Sequence, residues 1–217
     1  MKITLPKIYP ITDRELSGLS HAQQVEQFVA AGATLIQIRD KKASSKELLD
    51  DVSRSVEIAH RQGALLIVND RVDIALMAGA DGVHLGQDDL PTPAARQLLG
   101  NKAIIGFSTH SVEQVKDALA DGIADYIAFG PIFPTSTKSD HDPIVGLEQL
   151  AGIRGMIGDF PLVAIGGIDI RNVANVIEAG ADSAAMIGEF YRPGETIAER
   201  FRRLAAAADS ANNVVRR

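Results

Sequence analysis

Cysteine is absent from the sequence. Disulfides, thiol catalysis and thiolate metal sites are therefore excluded. That fits a reducing compartment, and the cytoplasm is the expected location. A basic surplus is absent too: 22 Lys and Arg stand against 28 Asp and Glu, a formal charge of −6. Nucleic acid and anionic membrane surfaces both select basic patches, so neither is an expected partner. No run approaches the roughly 20 apolar residues of a membrane span. The opening stretch, residues 1–15, has no long apolar run before its charges and does not read as a signal peptide. Metalloprotease HExxH, nucleophile-elbow and Walker A patterns are all missing, which removes three common routes to hydrolysis or nucleotide binding.

What is present is a globular α/β composition. The 217 residues are 46% hydrophobic and 23% charged, with only 5% aromatic. That leaves enough aliphatic side chains for a large core. No Pro- or Ser-rich linker divides the chain, so a single domain over 1–217 is expected, with a frayed tail after about 208. Short apolar runs alternate with longer helical patterns. Strands are expected at 7–11, 35–38, 64–68, 82–85, 103–107, 126–129, 162–165 and 183–187. Each is mostly apolar, as parallel strands buried on both faces require. The clearest helices are expected at 22–31, 46–61, 112–120 and 173–179, with Ser45 and Ser111 as candidate caps. Gly32-Ala33-Thr34, Gly79-Ala80-Asp81 and Gly180-Ala181-Asp182 form a weak repeat: helix end, glycine, alanine, polar residue, then strand. Eight strands in strict alternation with helices fit a closed (β/α)8 TIM barrel best. An open doubly wound sheet is the structural alternative.

In such a barrel, chemistry sits at the C-terminal ends of the strands. Here those ends carry Gln37-Ile38-Arg39-Asp40-Lys41, Asn69-Asp70, His84 through Asp89, Ser108-Thr109-His110, Thr135-Ser136-Thr137-Lys138, Gly166-Gly167 and Ile187-Gly188. Arg39, Lys41 and Lys138 would make a cationic pocket in an acidic protein. Asp70 and Asp89, from neighbouring strands, read either as ion-pair partners or as ligands of Mg²⁺, which takes one or two carboxylates plus phosphate oxygens. The Gly166-Gly167 pair reads as a phosphate-binding turn or as a tight turn alone. His84 is expected to be a hydrogen-bonded wall of the pocket, His110 to cap a turn, and His21, His60 and His141 to face solvent.

These motifs, in this order, resemble the thiamine phosphate synthase family over nearly the whole chain. The matching runs are Gln37-x-Arg39-x-Lys41, Asn69-Asp70, Asp81 through Asp89, Gly106-x-Ser108-x-His110, Gly130 through Lys138, Gly146-Leu147 and Ile165-Gly166-Gly167-Ile168. The resemblance implies a transferase of thiamine biosynthesis that joins a hydroxymethylpyrimidine diphosphate to a thiazole phosphate and releases pyrophosphate. The family's proposed route is dissociative. By the same likeness, Gln37, Arg39, Lys41, Asn69, Ser108 and Lys138 would hold the pyrimidine diphosphate, with Arg39, Lys41 and Lys138 as the catalytic cations. Asp70 and Asp89 would ligate Mg²⁺. Thr135, Ser136 and Thr137 would meet the thiazole, and Gly167, Ile187 and Gly188 its phosphate.

Two features depart from the pattern. Many relatives carry serine where this chain has Gly188, which keeps the backbone N–H but lacks a hydroxyl. The charged segment 139–143 matches no motif and is a candidate lid. Two alternatives are weighed: a thiazole tautomerase on the same scaffold and a non-catalytic binder of thiamine intermediates. The tautomerases tend to lack the diphosphate and metal residues and carry histidine where this chain has Pro131. No interface signature is visible, and a homodimer through barrel helices is a general expectation only.

Overall fold

The structure, a computed structural model, describes residues 3–135 and 143–210. Eight parallel strands close into a barrel in sequence order. They are β1 (Ile8–Thr12), β2 (Leu35–Ile38), β3 (Leu65–Asn69), β4 (Gly82–Leu85), β5 (Ile104–Thr109), β6 (Tyr126–Phe129), β7 (Leu162–Ile165) and β8 (Ser183–Met186). Closure is made by β1 on β8, with Ile8 opposite Ala184 and Pro10 opposite Met186. The open sheet is thereby ruled out. The α-helices among the described residues are α1 (Arg14–Ser17), α2 (His21–Ala30), α3 (Ser45–Arg61), α4 (Val72–Ala78), α5 (Thr92–Leu99), α6 (Val112–Asp121), α7 (Gly146–Ile157), α8 (Val173–Glu178) and α9 (Ile197–Ser210). A 3₁₀ turn, Gly188–Tyr191, follows β8, and for that reason β8 stops at Met186 rather than Ile187. No described helix is long and apolar enough to cross a membrane. The tail beyond 210 lies outside the described residues.

Strand alternation divides the core into two layers. One face of each strand packs outward against the helices: Ile36, Leu66, Val83, Ile105, Ile127 and Leu162 join Val25, Phe28, Val52 and Leu204 there. The other face fills the barrel interior, where Tyr9, Ile11, Leu35, Ile67, Tyr126, Ala128, Val163 and Ala185 form a separate cluster. Side chains two apart along a strand share a face. Continuing the inward row one step past each strand therefore reaches the mouth of the barrel.

The repeat ahead of the strands has a physical cause. Asp81 and Asp182 of the repeat, and Asp125 ahead of β6, each turn a carboxylate oxygen back to an amide at the start of the preceding strand. They accept from Leu66 at 2.7 Å, Ile105 at 2.8 Å and Leu162 at 2.9 Å. Each carboxylate also meets a side chain from a helix: His60 at 2.9 Å, Arg96 at 2.7 Å and Arg154 at 2.6 Å. The device satisfies an amide that would otherwise be orphaned at the barrel floor. The glycine of the repeat ends the helix before it. Gly79 does so with φ of +69°, a left-handed cap closed onto α4.

Caps elsewhere follow sequence logic with one correction. The cap of α3 is Ser44, not Ser45: Ser44 and Glu47 form a reciprocal capping box. Ser45 is already the first helical residue. Ser111 caps α6 as expected, accepting from the Gln114 amide.

Candidate active site

A cleft of about 1280 Å³ opens over the C-terminal ends of β1 to β5. Its lining includes Arg39, Lys41, Asn69, Asp70, Asp89 and Ser108. Lys41 Nζ lies 3.4 Å from Asp70 Oδ2. Arg39 is half-buried and makes no ion pair with any described residue, which leaves its charge facing the cleft. Asp70 sits in an unusual backbone state for a non-glycine residue, with φ of +62°. Its amide donates to the His84 carbonyl at 2.9 Å, so the turn after β3 is tied to β4. The carboxyl of Asp70 is pushed above the ordinary range. Burial is the largest cause, followed by the hydrogen bond and charge of Asp89, with Lys41 opposing. Asp89 is in turn oriented by the Gly86 amide, which donates to Oδ2 at 2.7 Å.

Beneath this cleft a buried polar chain crosses the barrel. Gln37 Nε2 donates to the Tyr9 hydroxyl at 3.1 Å. The Tyr9 and Tyr126 hydroxyls are 3.0 Å apart. The Tyr126 hydroxyl is 3.0 Å from His84 Nδ1, and His84 Nε2 is 2.9 Å from Ser108 Oγ. Burial pushes both tyrosine hydroxyls up in pKa, so they stay protonated and can donate. The chain fixes Gln37 on one side and Ser108 on the other, two positions that the family resemblance assigns to the pyrimidine. His84 is hydrogen-bonded as expected, but it is buried beneath the cleft rather than standing in its lining. The tyrosines were missed, because in sequence each reads as an ordinary apolar strand residue. The available signal was their place in the inward row, with glycine opposite: a Cβ at Gly106 would overlap the Tyr126 ring and His84 Nδ1.

Other expectations fare differently. His21 does not face solvent. It is fully buried, with Nδ1 2.7 Å from Thr12 Oγ1 and Nε2 3.3 Å from Asp40 Oδ2. Its place at the first position of α2 looked exposed, but the start of that helix packs against the end of β1. His110 Nδ1 lies 2.7 Å from the Gly130 carbonyl, and so ties the end of β5 to the end of β6. His60 is partly exposed, as expected.

The Gly166-Gly167 pair has a packing reason of its own. Both residues have positive φ, and a Cβ on either would collide with Pro131, Phe133 or Pro134 of the loop after β6. That loop runs alongside the glycines, with the Ile132 amide donating to Ile165 and the Phe133 amide to Gly166. Thr135, Gly167, Ile187 and Gly188 are described but stand apart from the lining of the large cleft. Ser136, Thr137, Lys138 and most of the 139–143 segment lie outside the described residues.

Several lining residues were not singled out from sequence: Arg14, Glu15, Asp40 and Lys42 rim the cleft. The pairs Arg14–Asp40 at 3.6 Å and Lys42–Glu15 at 2.5 Å join α1 to the loop after β2.

Comparison with known proteins bears on this arrangement. The family model described as thiamine monophosphate synthase matches residues 8–190. The thiamine-phosphate synthase of Chloroflexus aurantiacus is 45% identical over 182 residues, 83% of this chain and 83% of that protein. The solved thiamine phosphate pyrophosphorylase from Pyrococcus furiosus superposes with a TM-score of 0.85 at 34% identity, covering 94% of this chain and 96% of that one. The N-(5'-phosphoribosyl)anthranilate isomerase of the same organism shares the fold alone, at 13% identity and a TM-score of 0.65, covering 94% of this chain and 99% of that one.

Proposed function

The chain belongs to the thiamine monophosphate synthase family, and from that premise we propose that its barrel mouth joins a pyrimidine methyl diphosphate to a thiazole phosphate. The products are thiamine phosphate and pyrophosphate, and the enzyme is a transferase of thiamine biosynthesis. The observation that carries the site assignment is the convergence of Arg39 and Lys41 with the Asp70–Asp89 pair on one cleft wall.

Each residue type has a task that suits its place. Arg39 and Lys41 hold the diphosphate. As the bond from the methylene carbon to the bridging oxygen breaks, its electron pair leaves with the diphosphate and negative charge grows there. Fixed cations stabilise that charge more in the transition state than in the ground state. Gln37, Asn69 and Ser108 orient the pyrimidine, whose amino group shares the positive charge left on carbon. Gln37 is fixed by Tyr9 and Ser108 faces His84, so neither needs to be ordered by substrate. The thiazole nitrogen then supplies its lone pair to the carbon. No proton is removed in this step, so no general base is required.

The acidic pair fits Mg²⁺. Two carboxylates within hydrogen-bonding reach, one held above its ordinary pKa by burial and by the other, form a hard-oxygen pair that, among the described residues, Lys41 alone faces from the cationic side. No group of three or more acidic or histidine side chains able to hold a metal exists among the described residues. Two carboxylates leave most of an octahedral shell unfilled, so the ion would need diphosphate oxygens and water to complete it. Bound there, Mg²⁺ would neutralise charge on the leaving diphosphate. Thr135, with Ser136, Thr137 and Lys138, is assigned to the thiazole side and the emerging diphosphate. The backbone of Gly167, Ile187 and Gly188 is assigned to the thiazole phosphate.

The test is pyrophosphate release from purified protein. Release that requires both substrates and Mg²⁺, with thiamine phosphate as product, is the expected result. No release under any of these conditions would return the reading to the tautomerase or the binding protein.

A further inference from the structure

Among the described residues, His21 is a fully buried titratable group to which the reaction gives no task. Burying an imidazole is costly unless both ring nitrogens are satisfied. Here both are, and their partners point in one direction. Asp40 can only accept, because the pull of burial on its carboxyl is outweighed by the Lys42 and Ala43 amides and by His21, which hold its pKa down. His21 Nε2 must therefore carry the proton toward Asp40 Oδ2, at 3.3 Å. Nδ1 is left to accept the Thr12 hydroxyl, at 2.7 Å. The Thr12 oxygen in turn accepts the Arg39 amide, at 3.4 Å.

The same chain continues on the far side. Asp40 Oδ1 accepts from the Lys42 amide at 2.8 Å and the Ala43 amide at 2.9 Å. The backbone on both sides of Lys41, from Arg39 to Ala43, is thus pinned to one imidazole through two intermediaries. The backbone that carries the imidazole is held from behind: Asp51, on α3, accepts from the amides of His21 and Ala22 at 2.8 and 3.0 Å. A leucine at this position would pack as well on hydrophobic grounds, but could make neither link.

We propose that His21 is a positioning residue: it clamps the loop after β2, through Thr12 and Asp40, so that Arg39 and Lys41 present their charges to the diphosphate. The inference rests on the reading of Arg39 and Lys41 as diphosphate ligands. It extends the site to a residue that touches no substrate, and it explains why Thr12 and Asp40 carry polar side chains there.

The experiment uses the full chain and inorganic pyrophosphate with Mg²⁺ as probe, titrated calorimetrically into the parent and the variants H21L, H21Q, T12V and R39A. Steady-state KM and kcat for both substrates accompany it. H21L and T12V are expected to weaken pyrophosphate binding about tenfold and to raise KM for the pyrimidine diphosphate to match, with KM for the thiazole phosphate unchanged. H21Q, whose amide N–H can still reach Asp40, should recover most of the loss. T12V removes a hydroxyl at constant shape, so it carries the test even where H21L does not fold. Parent-like pyrophosphate binding in both H21L and T12V, with R39A impaired, overturns the inference. Equal damage to both substrates overturns it too, since a merely structural histidine would act that way. Parent-like binding by R39A would instead sink the diphosphate reading, and this inference with it.

Discussion

The rings of His84 and Tyr126 stack inside the barrel, 5.5 Å between centroids and 21° from parallel, with the tyrosine hydroxyl 3.0 Å from Nδ1. The space for that pair is the missing side chain of Gly106, where a Cβ would overlap both residues. Gly106→Ala should force the pair apart inside a closed barrel that cannot widen. The expected cost is about 1–3 kcal/mol of stability, typical of overpacking. The Ser108 hydroxyl would lose its fixed partner at the same time. Chemical denaturation of the variant checks the first effect, and KM for the pyrimidine diphosphate checks the second. Unchanged stability would mean that the chain is looser than its distances imply.

The carboxylate clamps on the barrel floor predict a purely structural loss. Asp125→Ala would strip the Ile105 amide of its acceptor and Arg96 of its ion pair. A buried amide left without a partner costs about 1–3 kcal/mol. Thermal melting should show this destabilisation, and kcat at moderate temperature should stay near that of the parent.

Much of the fold was legible because its rule is local. Apolar runs such as Leu35–Ile38 and Tyr126–Phe129 are too short for helices and end at turn residues, so β2 and β6 were readable to the residue. Arg39, Asn69 and Ser108 were legible as polar residues at strand ends and as matches to the family's motifs, and all three line one cleft. What stayed hidden depends on contacts between distant elements. Nothing local distinguishes His21 from a surface histidine at a helix start; its burial comes from the approach of α2 to Thr12 and Asp40. Tyr9 and Tyr126 are 117 positions apart in sequence, and their hydroxyls meet only because the barrel closes.

The acidic pair predicts a metal requirement that a single substitution should change. Asp89→Asn removes one negative charge and the group that helps hold Asp70 up. The Asp70 carboxyl should then titrate closer to the ordinary carboxylate range, which NMR of the free enzyme can follow. The Mg²⁺ concentration for half-maximal pyrophosphate release should rise at least about tenfold, because a hard cation loses a charged oxygen ligand. A variant with unaltered Mg²⁺ dependence would move the metal away from this pair.

Arg39→Ala tests where charge develops in the reaction. Loss of a preorganised donor aimed at developing charge costs about 10²–10³ in turnover. The thiazole phosphate is assigned to the backbone after β7 and β8, away from Arg39 at the end of β2, so its KM should stay within about twofold. Equal losses in turnover and thiazole affinity would argue that Arg39 shapes the whole pocket rather than the departing diphosphate.

His21 also makes stability depend on pH in a calculable direction. Burial lowers its pKa below the ordinary 6.5, against the opposing pull of Asp51 and Asp40, while Arg14 adds to the lowering. In the unfolded chain the imidazole titrates near 6.5, so below that pH the unfolded state takes up a proton that the folded state resists. Stability from this group is therefore complete above about pH 6.5 and is lost as pH falls from there through the lower folded value. The remaining titratable groups are common to parent and variant. Hence the difference between parent and H21Q isolates the histidine. Denaturation midpoints measured from pH 7.5 to 5 should fall more steeply in the parent than in H21Q, with the two curves converging as the parent loses its advantage. Parallel curves across that range would mean that the imidazole accepts its proton inside the fold as readily as outside it. In that case the neutral, directional chain from Arg39 through Thr12 and His21 to Asp40 would not be the state that holds the loop.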